Sequence, residues 1–185
     1  SGQVGGSSEA LAADGHFVYV GVGARLVIFD VSTPTSPKVV GRSPILSATV
    51  RAIQLKDGLA YVAVGYMGLE VLDVSVPASI KQVGSLDIEG LAMDVVLQGE
   101  QVLVLRREEL QAPVTTSLLV LDVAMPTAPR VIGTLDLPGG GSKVETLGSL
   151  AIIANGPDNG LDEKFRGLTD VDASIPTARP IGAGI

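Results

Sequence analysis

The stretch that decides the reading is Asp73 to Gly84, "DVSVPASIKQVG". It returns at Asp30 as "DVSTPTSPKVVG", at Asp122 as "DVAMPTAPRVIG" and, one residue shorter, at Asp172 as "DASIPTARPIG". Successive aspartates are 43, 49 and 50 residues apart. Four residues before each stands a leucine (Leu26, Leu69, Leu118, Leu168), and four after each a proline (Pro34, Pro77, Pro126, Pro176). Seven residues past the proline comes Gly41, Gly84 or Gly133; the fourth copy carries Gly182 one position early. A segment kept in register four times marks a repeat architecture.

Each unit holds four runs rich in β-branched and aliphatic residues. In the second they are "TVRAIQL", "LAYVAVG", "GLEVLDV" and "IKQVGSL", here strands a to d. Asp14-Gly15 and Asp57-Gly58 are tight-hairpin signals between a and b, and Gly99 and Gly148 hold the same place in the later units. The repeated aspartate ends strand c, where its carboxylate can accept backbone N–H groups in an Asx turn. The proline fixes φ and cannot donate to a ladder, so it turns the chain out of strand c. The glycine falls in strand d or at a bulge in it. The segment therefore reads as a c–d corner, made by turn chemistry rather than as a ligand set. Four short antiparallel strands per unit of about 40 to 50 residues predict an all-β fold, a β-propeller of about four four-stranded blades. No unit shows a 3.6-residue apolar period, which excludes stacked helix pairs, and a β-sandwich would not repeat its corner at fixed offsets.

Composition narrows the function classes. Hydrophobic residues make up 46% of the 185, charged residues 18% and aromatics 3%, with no Trp. The core must be Val, Leu, Ile and Ala. Net charge is −7 and the basic residues are scattered, which argues against nucleic acid, whose phosphates need clustered Lys and Arg. No apolar run approaches the roughly 18 residues of a membrane-spanning helix. There is no cysteine, so disulfides, thiolate zinc sites and Cys nucleophiles are excluded. The single histidine, His16, sits beside a turn, and no G-x-S-x-G elbow is present. "GVGARL" (21–26) and "PGGGSK" (138–143) are Gly-rich, but neither has phosphate-loop spacing.

"RLVIFDVSTPTSPKVVG", "GLEVLDVSVPASIKQVG" and "LLVLDVAMPTAPRVIG" resemble the LVIVD repeat, named for its strand-c core. "GLTDVDASIPTARPIG" departs from it, with Asp170 at a buried apolar position and Pro180 inside strand d. The resemblance implies a propeller without a common catalytic site, in bacterial or archaeal proteins that are often secreted or cell-surface. Laid on the chain, it gives a single domain over 1–185: blades at 8–45, 46–90, 91–139 and 140–185, preceded over 1–7 by "GQVGG", which reads as the end of another strand d. Two readings follow, a four-bladed ring or a piece of a larger one, and the second is preferred.

Candidate sites come from the irregularity of the repeat. The a–b glycine to strand-c aspartate interval is 15 residues in units one and two, but 23 and 24 in units three and four. The added residues are read as long b–c loops, Arg106 to Ser117 and Gly156 to Arg166, on one face of the disc. Loops on a rigid scaffold are where recognition concentrates. Arg106, Arg107, Glu108, Glu109, Asp158 and Asn159 are thus the expected binding rim, for a protein or glycan partner. Asp158, Asn159, Asp162 and Glu163 are candidate oxygen ligands for calcium, the one cofactor considered. A central channel would be lined by Glu9, Arg51, Asp94 and Glu145, at the starts of strand a. The expected function is a non-catalytic interaction module; the alternatives are a purely structural blade set within a larger protein or filament and an enzyme with its site in the central channel or in missing sequence.

Overall fold

The computed structural model describes residues 8–109, 114–137 and 141–155, together with the strands at 167–172 and 179–183. It contains four separate antiparallel sheets of four strands each and, among the described residues, no α-helix. Blade 1 is β1 (Leu11–Asp14), β2 (Phe17–Gly21), β3 (Leu26–Asp30) and β4 (Lys38–Arg42). Blade 2 is β5 (Ala52–Lys56), β6 (Leu59–Ala63), β7 (Leu69–Asp73) and β8 (Lys81–Leu86). Blade 3 is β9 (Leu91–Gln98), β10 (Gln101–Glu108), β11 (Thr115–Asp122) and β12 (Arg130–Leu137). Blade 4 is β13 (Lys143–Leu147), β14 (Leu150–Asn155), β15 (Gly167–Asp172) and β16 (Arg179–Ala183). In each blade neighbouring strands in sequence are neighbours in the sheet. The innermost strands β1, β5, β9 and β13 come together around one central cavity. The expected β-propeller is what forms.

The corner segment behaves as its chemistry requires. Ser32 N–H donates to Asp30 Oδ1 at 2.8 Å and Ala124 N–H to Asp122 Oδ1 at 3.0 Å. Ser75 donates to Asp73 Oδ1 through both its backbone N–H (3.0 Å) and its hydroxyl (2.6 Å). Past the corner, all four c–d pairings shift register at the same point. In each, the repeat glycine is the first residue after the bulge: Gly41, Gly84, Gly133 and Gly182 face Ile28, Val71, Val120 and Asp170. Pro180 lies in β16, at the blade edge, where a missing N–H does least harm.

The repeat glycines also fit blade to blade. A Cβ built on Gly41 would overlap the carbonyl oxygen of Pro77, in the corner of the next blade. A Cβ on Gly84 would overlap the carbonyl oxygen of Pro126 in the same way. The repeated proline and glycine, seven residues apart within one unit, meet between consecutive units. The side of a blade that faces its successor is here its trailing flank; the side that faces its predecessor is its leading flank.

Three apolar cores fill the junctions. Tyr19, Leu26 and Ile28 of blade 1 meet Ile53, Val62 and Leu72 of blade 2. Tyr61, Leu69 and Val71 meet Val95, Val104 and Leu121 of blade 3. Leu103, Leu105 and Leu118 meet Val144 and Ile153 of blade 4. Alternation along each strand sends successive side chains to opposite flanks, so both flanks are apolar and strands b and c read as nearly continuous hydrophobic runs.

Two details differ from the sequence reading. In blade 1 the register Asp14↔Phe17 makes Gly15 and His16, not Asp14 and Gly15, the central turn residues, with positive φ at Gly15 only. The same holds at Gly99 and Gly148; only Asp57-Gly58 has positive φ at both positions. A Gly-X turn needs only its glycine in the left-handed region, which is why the later units keep Gly and drop Asp. The second difference concerns blade 3. Both ends of its long b–c segment extend the hairpin, while residues 110–113 lie outside the described residues: β10 and β11 have eight residues each, against five in blades 1 and 2. Arg106↔Ser117, Arg107↔Thr116 and Glu108↔Thr115 continue the ladder, carried by β-branched threonines and the long stems of the arginines. Strands β9 and β12 are eight residues long as well, so the whole blade is taller. The segment at 156–166, read as the second long loop, lies outside the described residues, as does "GQVGG" at 1–7.

Candidate binding face

Strand a of every blade starts on the face from which the b–c turns emerge. At the centre of that face is a cavity of about 320 Å³. Glu9, Arg51, Asp94 and Glu145, the four residues expected to line a channel, all border it, and Gln54 and Lys143 join them. Arg51 Nη1 pairs with Glu9 Oε2 at 2.9 Å across the blade 1–blade 2 junction. Asp94 is nearly buried; its Oδ2 accepts the Val144 N–H at 2.9 Å, and Lys143 Nζ stands 3.4 Å from Oδ1. The cavity wall is thus made of cross-blade ion pairs of alternating sign. Lys143 was legible as the first strand residue after "PGGGS" but was not singled out.

Blade 3 rises beside this cavity. Three added residues per strand lift its hairpin by about 10 Å at roughly 3.3 Å per residue. Arg106, Arg107 and Glu108 lie on β10 and Glu109 just beyond it. Arg106 Nη2 pairs with Glu108 at 2.7 Å and donates to Ser117 Oγ at 3.1 Å, and Ser117 Oγ–H passes the bond to Asp136 at 2.9 Å. Arg106 Nη1 donates to the Glu89 carbonyl at 3.2 Å, so this arginine braces the hairpin against the link that enters its own blade. Arg107 Nε is 3.5 Å from Glu109 Oε1. Of the expected rim, then, Arg106 is a brace, Arg107 and Glu108 are half-buried on opposite flanks of the raised wall, and Glu109 is exposed at its top. Asp158, Asn159, Asp162 and Glu163 lie outside the described residues. Among the described residues no group of three or more His, Asp or Glu side chains is placed to hold a metal ion.

The sequence reading missed the partner of that wall. Tyr66 and Met67, in the tight b–c turn of blade 2, are both about half exposed. Gly65 and Gly68 frame the turn at φ 62° and 79°, conformations that side chains with a Cβ rarely adopt. Its backbone is stitched to blade 3, since Ala92 N–H donates to Gly65 O at 3.0 Å. Tyr66 OH donates to Glu109 Oε2 at 2.5 Å. That bond raises the phenol's pKa first, with help from desolvation and the Glu109 charge, against the pull of Arg107 and Arg51. Ile45 in the blade 1–blade 2 link and Val114 beside the hairpin tip are exposed on the same face. The signal was present in "VGYMG": two large side chains between glycines, on a strand turn too short to bury them.

A second unanticipated group is Glu70, buried on the leading flank of blade 2 where blades 1 and 3 carry Val27 and Leu119. Its Oε1 accepts the Ser47 N–H at 2.8 Å and ties down the link from blade 1. His16 lies at the opposite face, its ring tilted 41° against that of Phe17 with centroids 4.1 Å apart, away from the cavity.

The repeat chemistry can now be set against known proteins. The LVIVD repeat family matches residues 5–43 and 48–88. Blades 1 and 2 are thus similar to LVIVD repeats. No curated protein matches the chain. Among solved structures, the computationally designed Ika4 protein superposes with a TM-score of 0.64 at 13% identity, over 85% of this chain and 90% of that one. The computationally designed Ika8 protein gives 0.63 at 12% identity, over 92% of this chain and 47% of that one. Hydrazine synthase of Kuenenia stuttgartiensis gives 0.62 at 17% identity, over 89% and 49%. The chain therefore spans about half the length of the last two. At such identities the likeness concerns fold alone. Among the described residues no helix is long and apolar enough to cross a membrane.

Proposed function

We propose that this LVIVD-repeat propeller is a non-catalytic binding module and that its b–c face takes a protein or glycan partner. The observation that carries the reading is the bond from Tyr66 to Glu109, which ties the turn bearing the exposed Tyr66 and Met67 to the raised hairpin of blade 3. Exposed aromatic and methionine side chains beside arginine are the composition of interaction hot spots and of sugar-stacking platforms. The scaffold below is rigid, so the face is largely pre-formed and loses little entropy on binding. The resemblance to other LVIVD-repeat proteins supports a secreted or cell-surface setting.

The test is a glycan array and a set of surface-protein extracts probed with the wild-type chain, Tyr66→Ala and Arg107→Ala. The reading predicts a ligand held by the wild type and weakened at least about tenfold by either change, on the scale of a single hot-spot residue. Equal retention by all three proteins would move binding off this face.

A further inference from the structure

The a–b turns lie on the face opposite the raised hairpin, and in blades 2 and 3 a side chain there reaches across to the next blade. Lys56, at the end of β5, donates from Nζ to the carbonyl of Gly99 in the blade 3 turn at 3.0 Å. Gln98, at the end of β9, donates from Nε2 to the carbonyl of Gly148 in the blade 4 turn at 3.4 Å. Both donors close their own turn, in the pairs Lys56↔Leu59 and Gln98↔Gln101. The same position in blade 1, in the pair Asp14↔Phe17, is an aspartate. A carboxylate accepts and cannot donate. The carbonyl at the place of Gly99 and Gly148 in the blade 2 turn is that of Asp57, and among the described residues no side chain donates to it.

Where that bond is missing, a cavity of about 290 Å³ lies between blades 1 and 2, bordered by Asp14, Tyr19, Asp57 and Gly58, with Leu55 and Val74 as apolar sides. Tyr19 is 4% exposed and its ring belongs to the apolar core of that junction. Its hydroxyl has no hydrogen-bond partner among the described residues, a costly condition for a buried polar group. Burial first, and then the Asp14 charge, hold the phenol above its ordinary value of 10.0, which sets the hydroxyl beside that carboxylate. Lys56 also borders the cavity, but its ammonium is committed to blade 3, 2.8 Å from Glu100 Oε2.

The next junction shows what such a setting holds. Tyr61 takes there the place of Tyr19, each the third residue of its strand b. The Lys56 ammonium lies between a turn carbonyl and a carboxylate, and its charge pulls down the Tyr61 phenol that burial raises. The junction of blades 1 and 2 repeats the tyrosine, the turn carbonyl and a carboxylate, and lacks the ammonium. An ammonium carries three donors on a compact charge. Three acceptors await it: the Asp14 carboxylate, the Asp57 carbonyl and the Tyr19 hydroxyl. Leu55 and Val74 suit an alkyl stem. Among the described residues no group of three or more acidic or His side chains is placed for a metal ion, so the chemistry favours an amine.

We propose that the cavity between blades 1 and 2 on the a–b face binds a primary alkylammonium group through Asp14, the Asp57 carbonyl and the Tyr19 hydroxyl, as the next junction holds Lys56. The group can come from a free amine or from a lysine side chain. The site is separate from the b–c face and does not depend on binding there.

The full chain is titrated with n-pentylamine and with Nα-acetyl-lysine amide, which present the ammonium in those two forms, and with n-pentanol as the uncharged control. Binding is followed by the Tyr19 ring resonances and by melting temperature, which a ligand of the native state raises. At least one amine is expected to bind saturably, at least about tenfold more tightly than the alcohol, and the tighter amine names the source. Tyr19→Phe keeps the ring and should weaken the amine about tenfold, the scale of one hydrogen bond to a charged group. Asp14→Lys, at an exposed position, supplies the missing donor from the chain itself. It should abolish amine binding and raise the melting temperature without ligand. No saturable binding of either amine, equal binding of the alcohol, or amine binding unchanged by Tyr19→Phe or by Asp14→Lys would overturn the proposal.

Discussion

Gly84 illustrates how much one residue carries in a repeat. It is the first residue past the strand-d bulge, and its bare Cα lets the carbonyl of Pro126 approach from the next blade. A Cβ there meets backbone, which cannot swing aside as a flexible side chain would. Gly84→Val should destabilise the chain by about 1–3 kcal/mol, the usual scale of overpacking, read as a lower urea midpoint at unchanged slope. The corner aspartates act at the same scale. Asp30 and Asp122 are held below the ordinary value of 3.8 first by the backbone N–H groups of Ser32 and Ala124, and Asp73 first by the Ser75 hydroxyl. A folded pKa below the unfolded one means that the unfolded chain binds more protons at acid pH. The stabilisation is complete above the unfolded value and is lost as the pH falls through the lowered folded values. An acid titration of stability should therefore show a loss beginning near pH 3.8, and Asp73→Asn, which keeps an acceptor but not the charge, should flatten it. These residues were legible from the sequence, because turn chemistry is local. The meeting of Gly84 with Pro126 was not, because it joins different units.

At the scale of the element, the b–c hairpin of blade 3 marks the limit of counting residues. The interval from Gly99 to Asp122 correctly located an insertion, but length alone does not distinguish a loop from a longer ladder. Thr115, Thr116 and the arginines decide it, since β-branched and long-stemmed side chains suit a half-buried strand. The hairpin should therefore tolerate trimming. Replacing residues 107–116 by Asn-Gly should leave the far-ultraviolet strand signal intact and abolish binding at the b–c face. The Tyr66–Glu109 bond offers a spectroscopic check. In an alkaline difference titration against Tyr66→Phe, the Tyr66 phenol should ionise above its ordinary value of 10.0, and Glu109→Gln should bring it down. Tyr66 itself went unread because a residue in a tight turn is assigned to the turn; only the neighbouring blade turns it into part of a face.

At the scale of the whole molecule, stability resides in the junctions. Among the described residues the apolar cores lie between blades: Leu72 packs toward blade 1 and Leu69 toward blade 3. Leu72→Ala, at a fully buried site, should cost about 2–5 kcal/mol and loosen blades 1 and 2 together, visible as faster hydrogen exchange in β3 as well as β7. Four repeated corners announced this architecture, and the apolar strands b and c are its other sequence trace, since both flanks of each blade are covered. The channel residues were also foreseeable, because strand a must be innermost when d ends each unit at the rim. The central claim is that the repeat glycine and the repeat proline are the contact that joins one blade to the next. A crystal structure tests it most directly. It should show four separate sheets around a cavity bordered by Glu9, Arg51, Asp94 and Lys143, with the Pro77 and Pro126 carbonyls against the Cα atoms of Gly41 and Gly84. Two sheets layered face to face, or corners turned away from those glycines, would contradict it.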